Sequence, residues 1–134
     1  MSVGLLLITH HKIGKEILNT AAQTLGICPL RTKSLEIQAE DDPKPMIHRA
    51  REMVAELDSG SGVLILTDAY GSTPSNIAVS AVQSHSTRVV TGINLPMLLR
   101  IFNYHESSLD KLAEAAFEGG HNGIIKPVPR GLAG

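Results

Sequence analysis

Two adjacent histidines, His10 and His11, follow an unbroken apolar run, Val3–Ile8. Imidazole is the side chain best suited to act as nucleophile or base near neutral pH. A histidine nucleophile needs one ring nitrogen free and the other held by an acceptor. Asp68, just past a second apolar run at Val63–Thr67, could hold one nitrogen of His10, fix its tautomer and stabilise positive charge on the ring. The plainer account of the same positions is a solvated histidine near a loop aspartate. Gly71-Ser72-Thr73-Pro74-Ser75-Asn76 adds hydroxyls and backbone N–H groups at a helix start, where free amides and the macrodipole attract phosphate. Capping of that helix by Ser72, Thr73 or Ser75 is the alternative, and the two uses are compatible. No GK[ST] follows the glycine and no GxGxxG follows the first apolar run, so neither a P-loop nor a dinucleotide site is supported.

The other reactive side chains carry less. His48, His85, His105 and His121 fall on helices or near turns and read as structural. The single Cys28 excludes an internal disulfide and a multi-cysteine zinc site. A metal held by His10 and His11 is disfavoured, because adjacent side chains on an extended segment point apart.

These groups are positioned by one domain's worth of chain, 134 residues, enough to bury a core without covalent staples. The formal charge of −1 and an aromatic content of 3% lack both the basic footprint and the stacking platforms of a nucleic-acid binder. Met1–Ile8 has no basic flank and is too short for a signal peptide core or a membrane span, which predicts a cytoplasmic protein.

Apolar spacing predicts helices over Ile13–Leu25, from Pro43 to Leu57, from about Ser75 to Ser84, from Pro96 to Phe102, and over Leu109–Phe117 with Gly119-Gly120 as its stop. Val3–Ile8 and Val63–Thr67 read as strands buried on both faces. Arg31–Ile37 is a more polar strand nearer a sheet edge. Thr87–Ile93 and a short Gly123–Lys126 complete the set, and Pro127–Gly134 is expected to be a loose tail. This alternation predicts an α/β fold with a doubly wound, mainly parallel sheet and helices on both faces. Ligands of such folds meet the carboxyl ends of the strands. Thr9-His10-His11, Asp68 with Gly71–Pro74, and Asn94-Leu95-Pro96 are expected there.

Three segments in register resemble the mannose-type IIA domain of the bacterial phosphoenolpyruvate-dependent sugar phosphotransferase system, fructose subfamily. They are the strand ending in Thr9-His10, the stretch GVLILTDAYGSTPSN (Gly62–Asn76), and GINLPM (Gly92–Met97). The resemblance extends from about Ser2 to Lys126, which implies a IIA domain over residues 1–126 and a tail over 127–134. It implies a phosphocarrier, with His10 accepting phosphate from the histidine phosphocarrier protein and passing it to a IIB component. Asp68 matches the carboxylate bonded to the active imidazole, and Ser72 and Thr73 match the loop that contacts the phosphoryl group, with Gly71 at its turn. No cofactor or metal is implied. Homodimers that exchange a C-terminal strand, here Gly123–Lys126, are implied, as is at most a peripheral association with a membrane sugar permease.

His11 departs from the family pattern, which usually has glycine there. It is left as a spectator, a partner for the phosphate or a minor acceptor, with Thr9 as a further auxiliary residue. Tyr70 also departs, at the pocket rim. The chain ends at Gly134, where a fused IIB domain would begin, so a stand-alone domain is expected. A phosphotransfer subunit of dihydroxyacetone kinase and a regulatory binding module of the same fold are the alternatives. A response-regulator receiver with Asp68 as acceptor fits less well, since it needs acidic Mg²⁺ ligands where this chain has His10-His11.

Overall fold

The computed structural model describes residues 2–132. In chain order the elements are β1 (Gly4–His10), α1 (Ile13–Leu25), β2 (Thr32–Ile37), α2 (Pro43–Leu57), β3 (Val63–Thr67), α3 (Thr73–Ala81), β4 (Thr87–Thr91), α4 (Leu95–Asn103) and α5 (Leu109–Asn122). The sheet has the order β2-β1-β3-β4, and every pairing is parallel.

The apolar runs explain this order. Leu5, Leu6, Leu7 and Ile8 on β1, and Val63 to Leu66 on β3, are fully buried. Only the two central strands of a sheet covered on both faces need such continuous apolarity. Alternate residues feed two cores. Leu5, Leu7, Leu64 and Leu66 pack with Leu18, Leu98, Ile101 and Leu112 of α1, α4 and α5. Leu6, Ile8, Val63 and Ile65 pack with Met53, Leu57, Ile77 and Ala78 of α2 and α3. Each fully buried leucine or isoleucine contributes about 1.5–3 kcal/mol relative to exposure.

The chain leaves β1 for β2 on one side and returns to β3 on the other. The switch point therefore lies between β1 and β3, where crossovers diverge and a crevice opens at the strand ends. Ile8 pairs with Thr67 and His10 with Ile37, which sets His10 and Asp68 beside that crevice.

Four departures from the sequence expectation stand out beside shifts of one to three residues at other element ends. β1 runs on through Thr9 and His10, which pair with Glu36 and Ile37, so His10 is the last strand residue rather than a loop residue. α3 starts at Thr73, because Ser72 caps it and Pro74 fits its first turn. α5 continues through Gly119-Gly120 to Asn122. There the glycines serve close packing rather than termination. A Cβ on Gly119 would lie 2.5 Å from the Arg100 Cβ, and one on Gly120 2.8 Å from the Met97 Cε. The fourth is the expected strand at Gly123–Lys126, which has no strand pairing. Ile124 and Ile125 are exposed, and an extended segment without a partner edge has no ladder to join. Residues 127–132 of the tail form no helix or strand and are exposed, and its last two residues lie outside the described residues. Among the described residues, no helix is long and apolar enough to cross a membrane.

Candidate functional site

Register alone delivers His10 to Asp68. One carboxylate oxygen, Asp68 Oδ2, accepts from the His10 backbone N–H at 3.1 Å and lies 2.7 Å from His10 Nδ1. The other, Oδ1, accepts from Ala69 N–H at 3.2 Å. The carboxylate is therefore fixed by main chain at both oxygens and presented to the ring. Asp68 accepts and cannot donate when ionised, so Nδ1 carries the proton. Nε2 is left with its lone pair. The His10 side chain is 43% exposed and that of Asp68 12%, so the pair has a sheltered carboxylate and an open imidazole.

Thr9 works beneath the site. It is 1% exposed, and its Oγ1 accepts from Gly14 N–H at 2.9 Å. The N-cap of α1, Lys12, offers no side-chain cap, so Thr9 satisfies one of the orphan donors at that helix end. The tight connection between β1 and α1 leaves His11 with φ of 48°. That left-handed conformation costs a non-glycine residue about 1 kcal/mol. His11 N–H donates to Ile37 O at 3.1 Å, and its Nδ1 lies 2.6 Å from Gln38 Oε1. The two rings thus turn to opposite neighbours of β1, His10 toward β3 and His11 toward the end of β2.

The turn after Asp68 is preformed. Gly71 adopts φ of 82°, and its N–H donates to Ser75 Oγ at 3.3 Å. Ser72 Oγ donates to Ala69 O at 2.6 Å and accepts from Ser75 N–H at 3.4 Å. The hydroxyl of Ser72 is therefore engaged in holding the turn and capping α3. Thr73 is exposed at the first position of α3 and carries one of the N–H groups that helix geometry leaves free. The structure joins His10 to Asp68 directly; Gly71, Ser72 and Thr73 follow Asp68 in the chain, with Gly71 bonded to Ser75 and Ser72 to Ala69 and Ser75. Among the described residues, no group of three or more His, Cys, Asp or Glu could hold a metal ion.

The third motif has a positional explanation. Asn94 Oδ1 accepts from Met97 N–H at 2.9 Å, and its Nδ2 donates to Gly120 O at 3.0 Å. It caps α4 and ties it to α5 in one residue.

Sequence reasoning missed Gln38 and Asp41. Gln38 N–H donates to Asp41 Oδ2 at 2.7 Å, which steadies the residue that holds His11. Only the pairing of His10 with Ile37 makes them neighbours of the site, and no local pattern encodes that register.

A family model described as the fructose IIA component of the phosphotransferase system, EIIA-man, matches residues 4–117. The chain belongs to this family. The mannose-specific EIIAB component of Escherichia coli K12 is 28% identical over 137 residues, and so is that of Shigella flexneri. Each match covers 97% of this chain and 42% of the relative, so the chain spans well under half the length of those proteins. Among solved structures, the IIA protein associated with the fucose utilization operon of Streptococcus pneumoniae superposes with a TM-score of 0.79 at 26% identity, covering 94% of this chain and 96% of that one. The mannose/sorbose-specific IIA subunit from Enterococcus faecalis shares the fold, with a TM-score of 0.86 at 24% identity, 99% of this chain and 100% of that one covered. The four-stranded parallel sheet and five helices of the described residues match the fold of these structural neighbours.

Proposed function

We propose that this IIA component is a phosphohistidine relay: Nε2 of His10 accepts a phosphoryl group from the histidine phosphocarrier protein and passes it to a IIB component, serving sugar uptake or its regulation. The observation that carries this reading is the 2.7 Å contact of His10 Nδ1 with Asp68. It leaves Nε2 as the nucleophile and supplies a fixed negative charge for the positive ring formed on phosphorylation.

Transfer is mostly a matter of in-line placement and charge neutralisation. The donor's N–P bond breaks, its nitrogen takes back the electron pair, and the phosphorus bonds to His10 Nε2. The proton stays at Nδ1, shared with Asp68. The free N–H and hydroxyl of Thr73 and the turn built by Gly71 and Ser72 are suited to receive the phosphoryl oxygens. In the onward step the Nε2–P bond breaks, Nε2 takes back the electron pair, and the phosphorus bonds to the nucleophile of the IIB acceptor.

The openness of the site supports a protein donor over a small substrate. The His10 ring is nearly half exposed and Tyr70, two residues past Asp68, is 85% exposed, which suits a surface met by another protein. In the same reading the chain acts in the cytoplasm and pairs with a second copy through Gly123–Lys126. Exposed Ile124 and Ile125 and the edge position of β4 support that pairing.

The test is incubation with phosphoenolpyruvate and the purified relay proteins, followed by mapping of the label. Acid-labile, alkali-stable label at His10 is expected, and the His10→Ala protein should take label about tenfold or more slowly. Alkali-labile label on Asp68 refutes the assignment.

A further inference from the structure

We propose that His11 is a second, slower phosphoryl acceptor, its ring prepared by Gln38 in the way that Asp68 prepares His10. The proposal rests on the carrier reading for its biological donor, but its chemistry stands on separate observations.

The first is orientation. His11 Nδ1 lies 2.6 Å from Gln38 Oε1. An amide oxygen accepts only, so Nδ1 carries the proton and Nε2 holds the lone pair. This is the same tautomer that Asp68 imposes on His10. The second is construction. His11 N–H is tied to Ile37 O, and the Gln38 N–H to Asp41 Oδ2 at 2.7 Å. The main chain of both residues is thus anchored, and the ring is held through Nδ1. The third is the backbone: a side chain occupies a left-handed position, φ of 48°, where glycine would be unstrained. Strained residues of this kind persist where the surroundings over-determine them, commonly at working sites. The fourth is access, since His11 is exposed at the carboxyl end of the sheet.

The two rings differ in one respect that sets their rates. Asp68 is ionised and Gln38 is neutral. Phosphorylation at Nε2 makes either ring positive, and the ionised Asp68 then adds a charge–charge attraction that the neutral amide of Gln38 lacks. His11 should therefore react more slowly than His10, by about tenfold or more. The step balances as at His10: the donor's P–N bond breaks, its nitrogen keeps the electron pair, a new P–Nε2 bond forms, and the His11 proton stays between Nδ1 and Gln38 Oε1. Because the rings face opposite neighbours of β1, the second group is carried on the β2 side of the crevice.

Phosphoramidate tests this without a protein partner, its nitrogen leaving as ammonia with the protons it already carries. Rates at each histidine are followed by peptide mass spectrometry, with His48, His85, His105 and His121 as internal references and circular dichroism to confirm folding. In the His10→Ala protein, His11 is expected to label faster than those four and about tenfold or more slower than His10 in the wild-type chain. Gln38→Glu in the same background places a carboxylate against the ring and is expected to raise the His11 rate toward that of His10. His11 labelling no faster than the four references, or a rate unmoved by Gln38→Glu, overturns the proposal. Failure of the carrier reading looks different: His10 would refuse phosphate from the protein relay whatever phosphoramidate does at His11.

Discussion

Replacing Asp68 separates its charge from its shape. Asp68 Oδ2 receives both the backbone N–H and Nδ1 of His10. In Asp68→Asn the amide oxygen can still accept from these donors, so the fold is retained and the negative charge alone is lost. In Asp68→Ala both bonds go. A hydrogen bond to an ionised group contributes about 1.5–3 kcal/mol, and each 1.36 kcal/mol is about tenfold in rate. The His10 ring is 43% exposed, so water recovers part of the loss and the lower half of that range applies. Asp68→Asn should therefore slow phosphoryl transfer about tenfold, and Asp68→Ala about tenfold to thirtyfold. Asp68→Ala also leaves the half-buried His10 N–H without its acceptor, at about 1 kcal/mol, or a fall in Tm of about 3–5 °C for a chain of this size. Rapid-quench time courses with the phosphorylated donor at saturating concentration give the rates, and thermal unfolding gives the stabilities. Transfer by Asp68→Asn at the wild-type rate, with the fold intact, would refute the electrostatic role assigned to the carboxylate.

Three further outcomes are expected. Thr9→Val keeps the shape but removes the oxygen that accepts from Gly14 N–H; it should cost about 1 kcal/mol, read by urea unfolding, with Thr9→Ser recovering most of it. Thr67 Oγ1 is buried without a partner among the described residues, so Thr67→Val should raise stability, by about 1 kcal/mol, and an unchanged or lower midpoint would mean the hydroxyl is satisfied. The Glu56 carboxyl is held below its ordinary 4.5, first by the hydrogen bond from Lys33 and then by that from Arg49. A lowered folded value stabilises fully above the unfolded value and fades as pH falls through the folded one. The stability gap between wild type and Glu56→Gln should therefore be constant near neutrality and close below about pH 4.5, as followed by denaturant midpoints across that range.

The sheet was legible because burial on both faces leaves a mark no other element leaves. Val63–Thr67 is uninterrupted because nothing on β3 meets water, and the more polar Thr32–Ile37 shows its edge position in its composition. Helix faces were legible for the same reason. Boundaries decided by tertiary contact were not. Gly119-Gly120 looks like a stop, yet α5 needs those glycines to lie against Arg100 and Met97. Gly123–Lys126 has strand-like residues, but a strand exists only with an edge to pair with. At the site, the types and order of His10, Asp68 and Gly71–Thr73 were readable, since each lies at or just past the carboxyl end of an apolar strand. The division of labour was not: Ser72 spends its hydroxyl on the turn, Thr9 serves α1, and Gln38 reaches His11 only because β1 and β2 pair in one register.

The central claim is that Asp68 holds Nδ1 of His10 and so directs the phosphoryl group to Nε2. Nitrogen-15 and phosphorus-31 NMR of the histidine-labelled protein, phosphorylated by its relay, reads this directly. A phosphorus coupling at Nε2 of His10 is expected, with a protonated Nδ1 whose proton resonance moves on Asp68→Asn. A phosphoryl group at Nδ1 of His10, or on any residue in place of His10, would contradict it.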